Sequence, residues 1–274
     1  MMRNYVLKCV YALLLLMLLY DDAASIHGDV KCLDKERRAL LTFKHGIQDD
    51  TGMLSTWKDD DDCCKWQGVA CSNQTGHVLR LHLRGLDSIC LIGEANISTL
   101  IDLQNLEHLD LSGHQFLYFD ISEHIGLFTK LTYLNLSYAD IGGRIPYQLG
   151  NLSQLQYLDL NNIYDIYGAI PPQLSSLTHL RYLDLSYNFL DGEIPSQLKY
   201  LGQLQYLGLQ SHGELSGAMP FQSGDLPLLR TLKLGGDFVL KTKQEVEWVS
   251  NLSLLKNLNV IECWQLSSMA STNS

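Results

Sequence analysis

Beyond about residue 24 this 274-residue chain has no apolar run long enough to cross a bilayer, which takes roughly 20 residues of helix. It lacks a Gly-rich phosphate loop, a His-Glu-x-x-His pair, a nucleophile elbow and any Cys-His-Asn arrangement. Nothing in these residues reads as a kinase-like or other cytoplasmic domain, and none is expected in them. Positive charge is scarce: 20 Lys and Arg against 30 Asp and Glu give a net charge of −10. That balance argues against nucleic acid or anionic lipid as a partner. The nine histidines are scattered. His108 and Asp110 could act as an acid and base pair, but with no nucleophile and no enclosed pocket the chain is expected not to be an enzyme. No cofactor and no metal are expected.

Proline is also sparse, at six residues, and four of the six keep a beat. Pro146, Pro171, Pro195 and Pro220 each follow an apolar residue and stand three residues after a glycine. The same beat runs through a Leu-x-Leu element whose second apolar position falls at Leu83, Leu111, Leu136, Leu160, Leu185, Leu209, Leu234 and Val260, in steps of 24 to 28 residues. One strand and one return segment per step stack into a curved α/β repeat solenoid. Within each strand the leucines point inward, where each is worth roughly 1.5 to 3 kcal/mol of transfer free energy. The residues between them face outward. One outward row reads Arg80, His108, Tyr133, Tyr157, Tyr182, Tyr206, Thr231 and Asn257; the next reads His82, Asp110, Asn135, Asp159, Asp184, Gly208, Lys233 and Asn259. Strands about 4.8 Å apart make the four tyrosines one aromatic stripe beside an acidic row.

Residues 1–24 read as a secretory signal. Arg3 and Lys8 precede an apolar stretch from Val10 to Tyr20, and small residues follow at Ala23, Ala24 and Ser25. The signal carries two charges of each sign, so its removal leaves the net charge unchanged. Cys9 leaves with it. The remaining cysteines in an oxidising compartment read as disulfides. Zinc would also use the cluster Cys32, Cys63, Cys64 and Cys71, but adjacent Cys63-Cys64 is poor chelate geometry. Adjacent cysteines rarely bond each other, and the pairs expected are Cys32–Cys63 and Cys64–Cys71. Cys90 and Cys263 stand apart.

Residues 25–76 form a cap of different character. Asp34 is the expected N-cap of a helix running to about Gly46, with Ala39, Leu40, Phe43 and Ile47 at helical spacing. Trp57 and Trp66 add large apolar area. The run Asp59 to Asp62 lacks the alternating ligands of a calcium loop and reads as a solvated turn. A solenoid's first coil needs such a cover, because its apolar flank has no preceding coil.

The sequence Glu36-Arg37-Arg38-Ala39-Leu40-Leu41-x-Phe43-Lys44, then Leu54-Ser55-x-Trp57, then Cys63-Cys64-x-Trp66-x-Gly68-Val69-x-Cys71, resembles the N-terminal cap of plant extracellular leucine-rich repeat proteins. The Leu-x-Gly-x-Ile-Pro element at Leu190 to Pro195 is similar to their repeat, and residues 143–152 and 248–253 resemble the receptor-like proteins of plant immunity. The resemblance implies a leucine-rich repeat superhelix with a concave parallel β-sheet behind a disulfide-bonded helical cap, about eight repeats over 77–266, and a non-repeat tail at 267–274. It implies an extracellular module that binds a peptide or protein ligand in defence or developmental signalling, with a co-receptor carrying repeats of its own. The membrane helix of those relatives is not in this chain, so secretion is expected, or the plasma membrane if a longer form carries that helix. A secreted inhibitor resembling the polygalacturonase-inhibiting proteins is the alternative.

Ligand contact is expected on the concave face at Tyr133, Tyr157, Tyr182 and Tyr206, with Asp159 and Asp184. Tyr138, Asn162, Tyr187 and Ser211, just past each strand, vary more and are better placed to discriminate. Plant repeats usually set an asparagine in the following turn. Here the slot holds His114, Ala139, Ile163, Asn188, His212, Asp237 and Cys263, so only Asn188 fits and local irregularity is expected. Sequons occur at Asn73, Asn96, Asn135, Asn151 and Asn251, and a glycan on Asn135 would block part of the sheet. Leu255, Leu258, Val260 and Leu266 are expected to lack a covering coil.

Overall fold

The computed structural model describes residues 30–262 apart from 87–88, 95, 117–118, 164, 212–214 and 237–242. The expected signal at 1–24, the tail at 267–274, Leu266 and the slot residues His212, Asp237 and Cys263 lie outside the described residues.

The eight Leu-x-Leu elements and one cap strand form a nine-stranded sheet: Val69–Cys71 of the cap, then Val78–His82, His108–Asp110, Tyr133–Asn135, Tyr157–Asp159, Tyr182–Asp184, Tyr206–Gln210, Thr231–Gly236 and Asn257–Glu262. Each strand lies beside the next in sequence. All pairs are parallel except the first, where Val69–Cys71 runs antiparallel to Val78–His82 and closes the edge against the cap. Parallel pairing follows from the return segment, which brings the chain back to the same side in every coil. The register keeps like positions together: Tyr133, Tyr157, Tyr182 and Tyr206 are cross-strand partners in series. The inward leucines from Leu81 to Leu234 are buried, whereas Leu258 and Val260, inward by register, are 47% and 36% exposed.

The Gly-x-Ile-Pro segments, read from sequence as loops, build a second parallel sheet. Its strands are Phe119–Asp120, Ile141–Arg144, Asp165–Ala169, Phe189–Glu193 and Leu215–Ser216. The glycines make it possible: Gly143, Gly168, Gly192 and Gly217 have φ of 90°, 85°, 77° and 92°, a region that costs an L-residue about 1–2 kcal/mol. Beyond this sheet the return segments are 3₁₀ turns at Ile97–Leu100, Glu123–Leu127, Tyr147–Asn151, Pro172–Ser176 and Ser196–Tyr200. One later coil uses an α-helix, Lys243–Ser250, whose Trp248 is buried against Phe221 at 4.8 Å.

In the cap, helix α1 spans Asp34–His45. Asp34 is its first residue and not its N-cap; Leu33 holds that position, and the Asp34 carboxylate pairs with Arg37 at 3.1 Å. Ile47 leaves the helical face for a short strand, Ile47–Gln48, antiparallel to Ile92–Gly93. Glu36 is fully buried. Its Oε2 accepts from the Val78 amide at 2.7 Å and its Oε1 lies 2.7 Å from His77 Nδ1, so α1 is tied to the first repeat strand. Trp57 stacks on Trp66 at 5.2 Å and donates Nε1–H to the Gln67 carbonyl. Cys32 is joined to Cys63 and Cys64 to Cys71. Asp62, from the acidic run, accepts from the amides of Cys64 and Cys32.

The turn slot is better filled than residue type suggested. Asn188 donates Nδ2–H to the carbonyls of Leu160 and Leu185 and accepts from the Ile163 amide at 3.0 Å, so it serves the preceding coil, where Ile163 cannot serve itself. His114 does the same work with a ring: Nδ1 accepts from the Leu91 amide at 3.1 Å and Nε2 donates to the Leu83 carbonyl at 3.0 Å. Burial lowers its pKa to about 4, against the pull of the Leu83 carbonyl and the Asp110 carboxylate.

Between pH 6.5 and 4 the unfolded chain therefore binds a proton at this residue that the folded chain refuses, so its contribution to stability is lost as pH falls through that window, by up to about 3 kcal/mol. Asp159 works in the opposite sense. Burial and then Asp184 raise its pKa to about 6 against the Asn161 amide, so it favours the fold as pH falls below 6. Urea unfolding at pH 7 and pH 4.5 should show His114→Asn losing less stability on acidification than the parent chain. An equal loss in both would contradict this role.

Candidate binding face of the long sheet

The outward row is a continuous ring stack. Tyr133–Tyr157, Tyr157–Tyr182 and Tyr182–Tyr206 have centroid separations of 4.3, 4.2 and 4.1 Å with near-parallel planes. His108 stacks on Tyr133 at 4.1 Å at one end, and Lys233 Nζ lies 5.2 Å from the Tyr206 ring centre at the other. Both faces of each inner ring are thus occupied by neighbours, and the hydroxyls are engaged as well. Tyr157 donates to Asp159 Oδ2 at 3.1 Å, while Tyr182 and Tyr206 both donate to Asp184 Oδ2. Burial, followed by the Asp159 charge at Tyr157 and Tyr182 and by the Asp184 hydrogen bond at Tyr206, raises all three phenol pKa values. Burial, then Arg80 and His82, lower that of His108 to about 4.

The acidic row beside the tyrosines is buried, not surface-forming: Asp159 is 8% and Asp184 3% exposed. The second carboxylate oxygen of each accepts a backbone amide two residues on, from Asn161 and Ser186, as Asp110 does from Ser112 and Asn135 from Ser137. These side chains terminate the strands, in the manner of an Asx turn. Asn135 also directs Nδ2 to Tyr133 Oη at 3.4 Å and is 8% exposed, whereas Asn73, Asn96, Asn151 and Asn251 are exposed. Gly208 replaces the acid where the Asp184 carboxylate leans across and leaves no space for a Cβ.

The row just past the strands separates in two. Tyr138 is 61% exposed, Asn162 is exposed and Tyr187 is half-buried, whereas Ser211 is buried and donates its hydroxyl to the carbonyls of Asn188 and Leu190. The first three share a feature that side-chain type did not announce: φ values of 56°, 51° and 60°. Their amides continue the ladder onto the carbonyls of Asn161, Ser186 and Gln210. Gly113 holds the equivalent place one coil earlier at φ 74°. Asparagine tolerates this region, but tyrosine is an outlier there. Two bulky rings are held where glycine fits better.

On the second sheet Arg144, Tyr167 and Phe189 are register neighbours; Tyr167 and Phe189 are exposed, with the Arg144 guanidinium 5.7 Å from the Tyr167 ring centre. Sequence reasoning missed this trio because it took the segment for loops. No helix among the described residues is long and apolar enough to cross a membrane.

The leucine-rich repeat N-terminal domain family matches residues 33–72, and the leucine-rich repeat region family matches residues 82–274. Receptor-like protein EIX2 of Solanum lycopersicum is 40% identical over 147 residues, 50% of this chain and 14% of that protein. Receptor-like protein EIX1 of the same plant is 43% identical over 135 residues, 44% of this chain and 13% of that protein. The chain therefore spans about a seventh of the length of these relatives. Among solved structures, the Arabidopsis receptor kinase HAESA ectodomain in complex with an N-terminal extended IDA peptide hormone is similar with a TM-score of 0.59, at 26% identity over 84% of this chain and 41% of that one. The BIR3–SERK2 complex, also from Arabidopsis thaliana, gives 0.54 at 30% identity over 66% of this chain and 98% of that one. With a paired-cysteine cap ahead of a repeat array matched over most of its length, this chain belongs to the leucine-rich repeat proteins and is similar over about half of its length to plant receptor-like proteins.

Proposed function

We propose that this chain is an extracellular ligand-binding module of a receptor-like protein, in defence or developmental signalling, and that it holds a peptide or protein on the concave face along Tyr138, Asn162 and Tyr187. The observation that carries this is the backbone of that row: two tyrosines stand at φ 56° and 60°, and Tyr138 is 61% exposed. Such strain is maintained at recognition and switch sites more often than elsewhere. The tyrosine ladder is the rigid floor beneath the row, since its ring faces and hydroxyls are already committed. A floor of this kind lowers the ordering cost of binding. The receptor-like relatives support the class of function, and the HAESA–IDA structure supports a peptide as ligand. A second repeat chain as co-receptor is the companion proposal, supported by the likeness to the BIR3–SERK2 complex.

A displayed peptide library selected on the parent chain supplies probes. Clones so selected should bind Tyr138→Ala and Tyr187→Ala roughly thirtyfold more weakly, the effect of a hot spot worth about 2 kcal/mol. They should bind Arg144→Ala unchanged. Clones that tolerate both tyrosine changes and are lost on Arg144→Ala would move the site to the second sheet.

A further inference from the structure

At the cap end of the tyrosine ladder two imidazoles and a carboxylate converge on one point. The parallel register sets His82 beside Asp110 and Arg80 beside His108, so the three potential ligands project from one face of two adjacent strands. His82 Nδ1 lies 3.4 Å from His108 Nε2 and 3.3 Å from Asp110 Oδ2, and all three atoms fall within 4.8 Å of one another. With neutral rings a single proton has to serve both contacts of His82 Nδ1: if Asp110 receives it, His108 is left without an acceptor there, and if His108 donates, Asp110 faces a lone pair. A cation at the centre satisfies all three atoms at once.

The spacing fits. Ligands held about 2.0–2.1 Å from a zinc ion in a tetrahedral array stand roughly 3.3–3.4 Å apart. The supporting contacts fit as well. Asp110 Oδ1 is fixed by the Ser112 amide at 3.1 Å and the Ser112 hydroxyl at 2.7 Å, which leaves Oδ2 as the ligand atom. The His108 ring is held flat against Tyr133. The side chain of Asp110 is 3% exposed and that of His82 42%, so the point is anchored on one side and open on the other. Arg80 opposes a cation here and the Asp110 charge offsets it.

We propose that His82, His108 and Asp110 form a three-ligand site for a divalent transition metal of the zinc class, with its remaining position open to the concave face. Two nitrogens and one carboxylate oxygen with an open position is the donor set of exchangeable zinc sites. In the next coil the corresponding positions hold Asp110, Tyr133 and Asn135, so the histidine pair belongs to the first two repeat strands. The open position would accept a water, or a carboxylate or imidazole from whatever docks on the sheet.

The test uses the full chain, freed of metal with a chelator and titrated calorimetrically with zinc chloride alone. One equivalent should bind, and His108→Tyr and Asp110→Asn should each weaken it by about a hundredfold or more. Both variants place at these positions the residue found one coil later, where Tyr133 stacks and Asn135 caps in the same way. Cobalt(II) on the parent chain gives a second reading that needs no variant: a four-coordinate site shows intense visible d–d bands, lost on adding zinc. Undiminished zinc affinity in both variants, saturation no tighter than about millimolar, or a pale six-coordinate cobalt spectrum would overturn the proposal. Because the metal alone is measured, that outcome leaves peptide binding on the Tyr138–Tyr187 row untouched.

Discussion

Asn188→Leu should cost the fold about 4 kcal/mol, the largest loss expected from a single change outside the cap. The side chain is fully buried and carries three hydrogen bonds to backbone groups of two coils: the carbonyls of Leu160 and Leu185 and the amide of Ile163. Leucine keeps the branched four-atom skeleton but is bulkier, so some overpacking adds to the loss of three buried polar partners, orphaned at about 1–3 kcal/mol each. Partial relaxation brings the sum below its upper bound. Because coils stack only on their neighbours, the loss should also divide the array. Hydrogen exchange should rise in coils 157–170 and 182–195 before it rises around Leu134. An unfolding free energy within about 1 kcal/mol of the parent would show that water or backbone movement replaces Asn188 and that the slot is not a strut.

Glu36→Ala should cost about 3 kcal/mol. The carboxylate is fully buried, 2.7 Å from both the Val78 amide and His77 Nδ1, and these contacts fasten α1 to the first repeat strand across 41 and 42 residues of sequence. Its removal leaves the Val78 amide unpaired in the core and His77 without its partner. Glu36→Gln keeps an acceptor for the amide and should recover about half the loss. The disulfides Cys32–Cys63 and Cys64–Cys71 remain in both variants, so a fall in the urea midpoint reports the docking of the cap and not its internal integrity. If the alanine and glutamine variants unfold together at the parent midpoint, the cap is held by packing and disulfides alone.

The strands of the long sheet and their registers were legible because Leu-x-Leu at a period of about 24 residues allows one inward face, and a slip of one residue would expose every leucine. The second sheet was not legible. Its strands are glycine-rich and short, and glycine in a sequence signals a turn equally well; what makes them strands is the stacking of successive coils, in a register that sets Gly168 beside Leu190 and not beside its repeat equivalent Gly192. Counting residue types in the turn slot found Asn188 but passed over His114, because an imidazole offers one donor and one acceptor only when its burial keeps it neutral. The tyrosine row was readable from alternation alone. The burial of Asp159 and Asp184 was not, since a carboxylate two residues before a Ser or Asn amide folds back onto its own turn. Nor does sequence announce that Tyr138 and Tyr187 occupy left-handed backbone; the hint was Gly113 in the equivalent place, a residue whose freedom the position uses.

The most direct test of a recognition role for that row is Tyr138→Gly, measured for urea stability and for binding of the selected peptides. Glycine relieves a φ of 56° at a side chain 61% exposed to solvent, and after its own entropic cost the fold should gain about 0.5–1 kcal/mol. The account predicts that this more stable chain binds the peptides roughly thirtyfold more weakly. A variant that is less stable than the parent and binds the peptides with full affinity would contradict it.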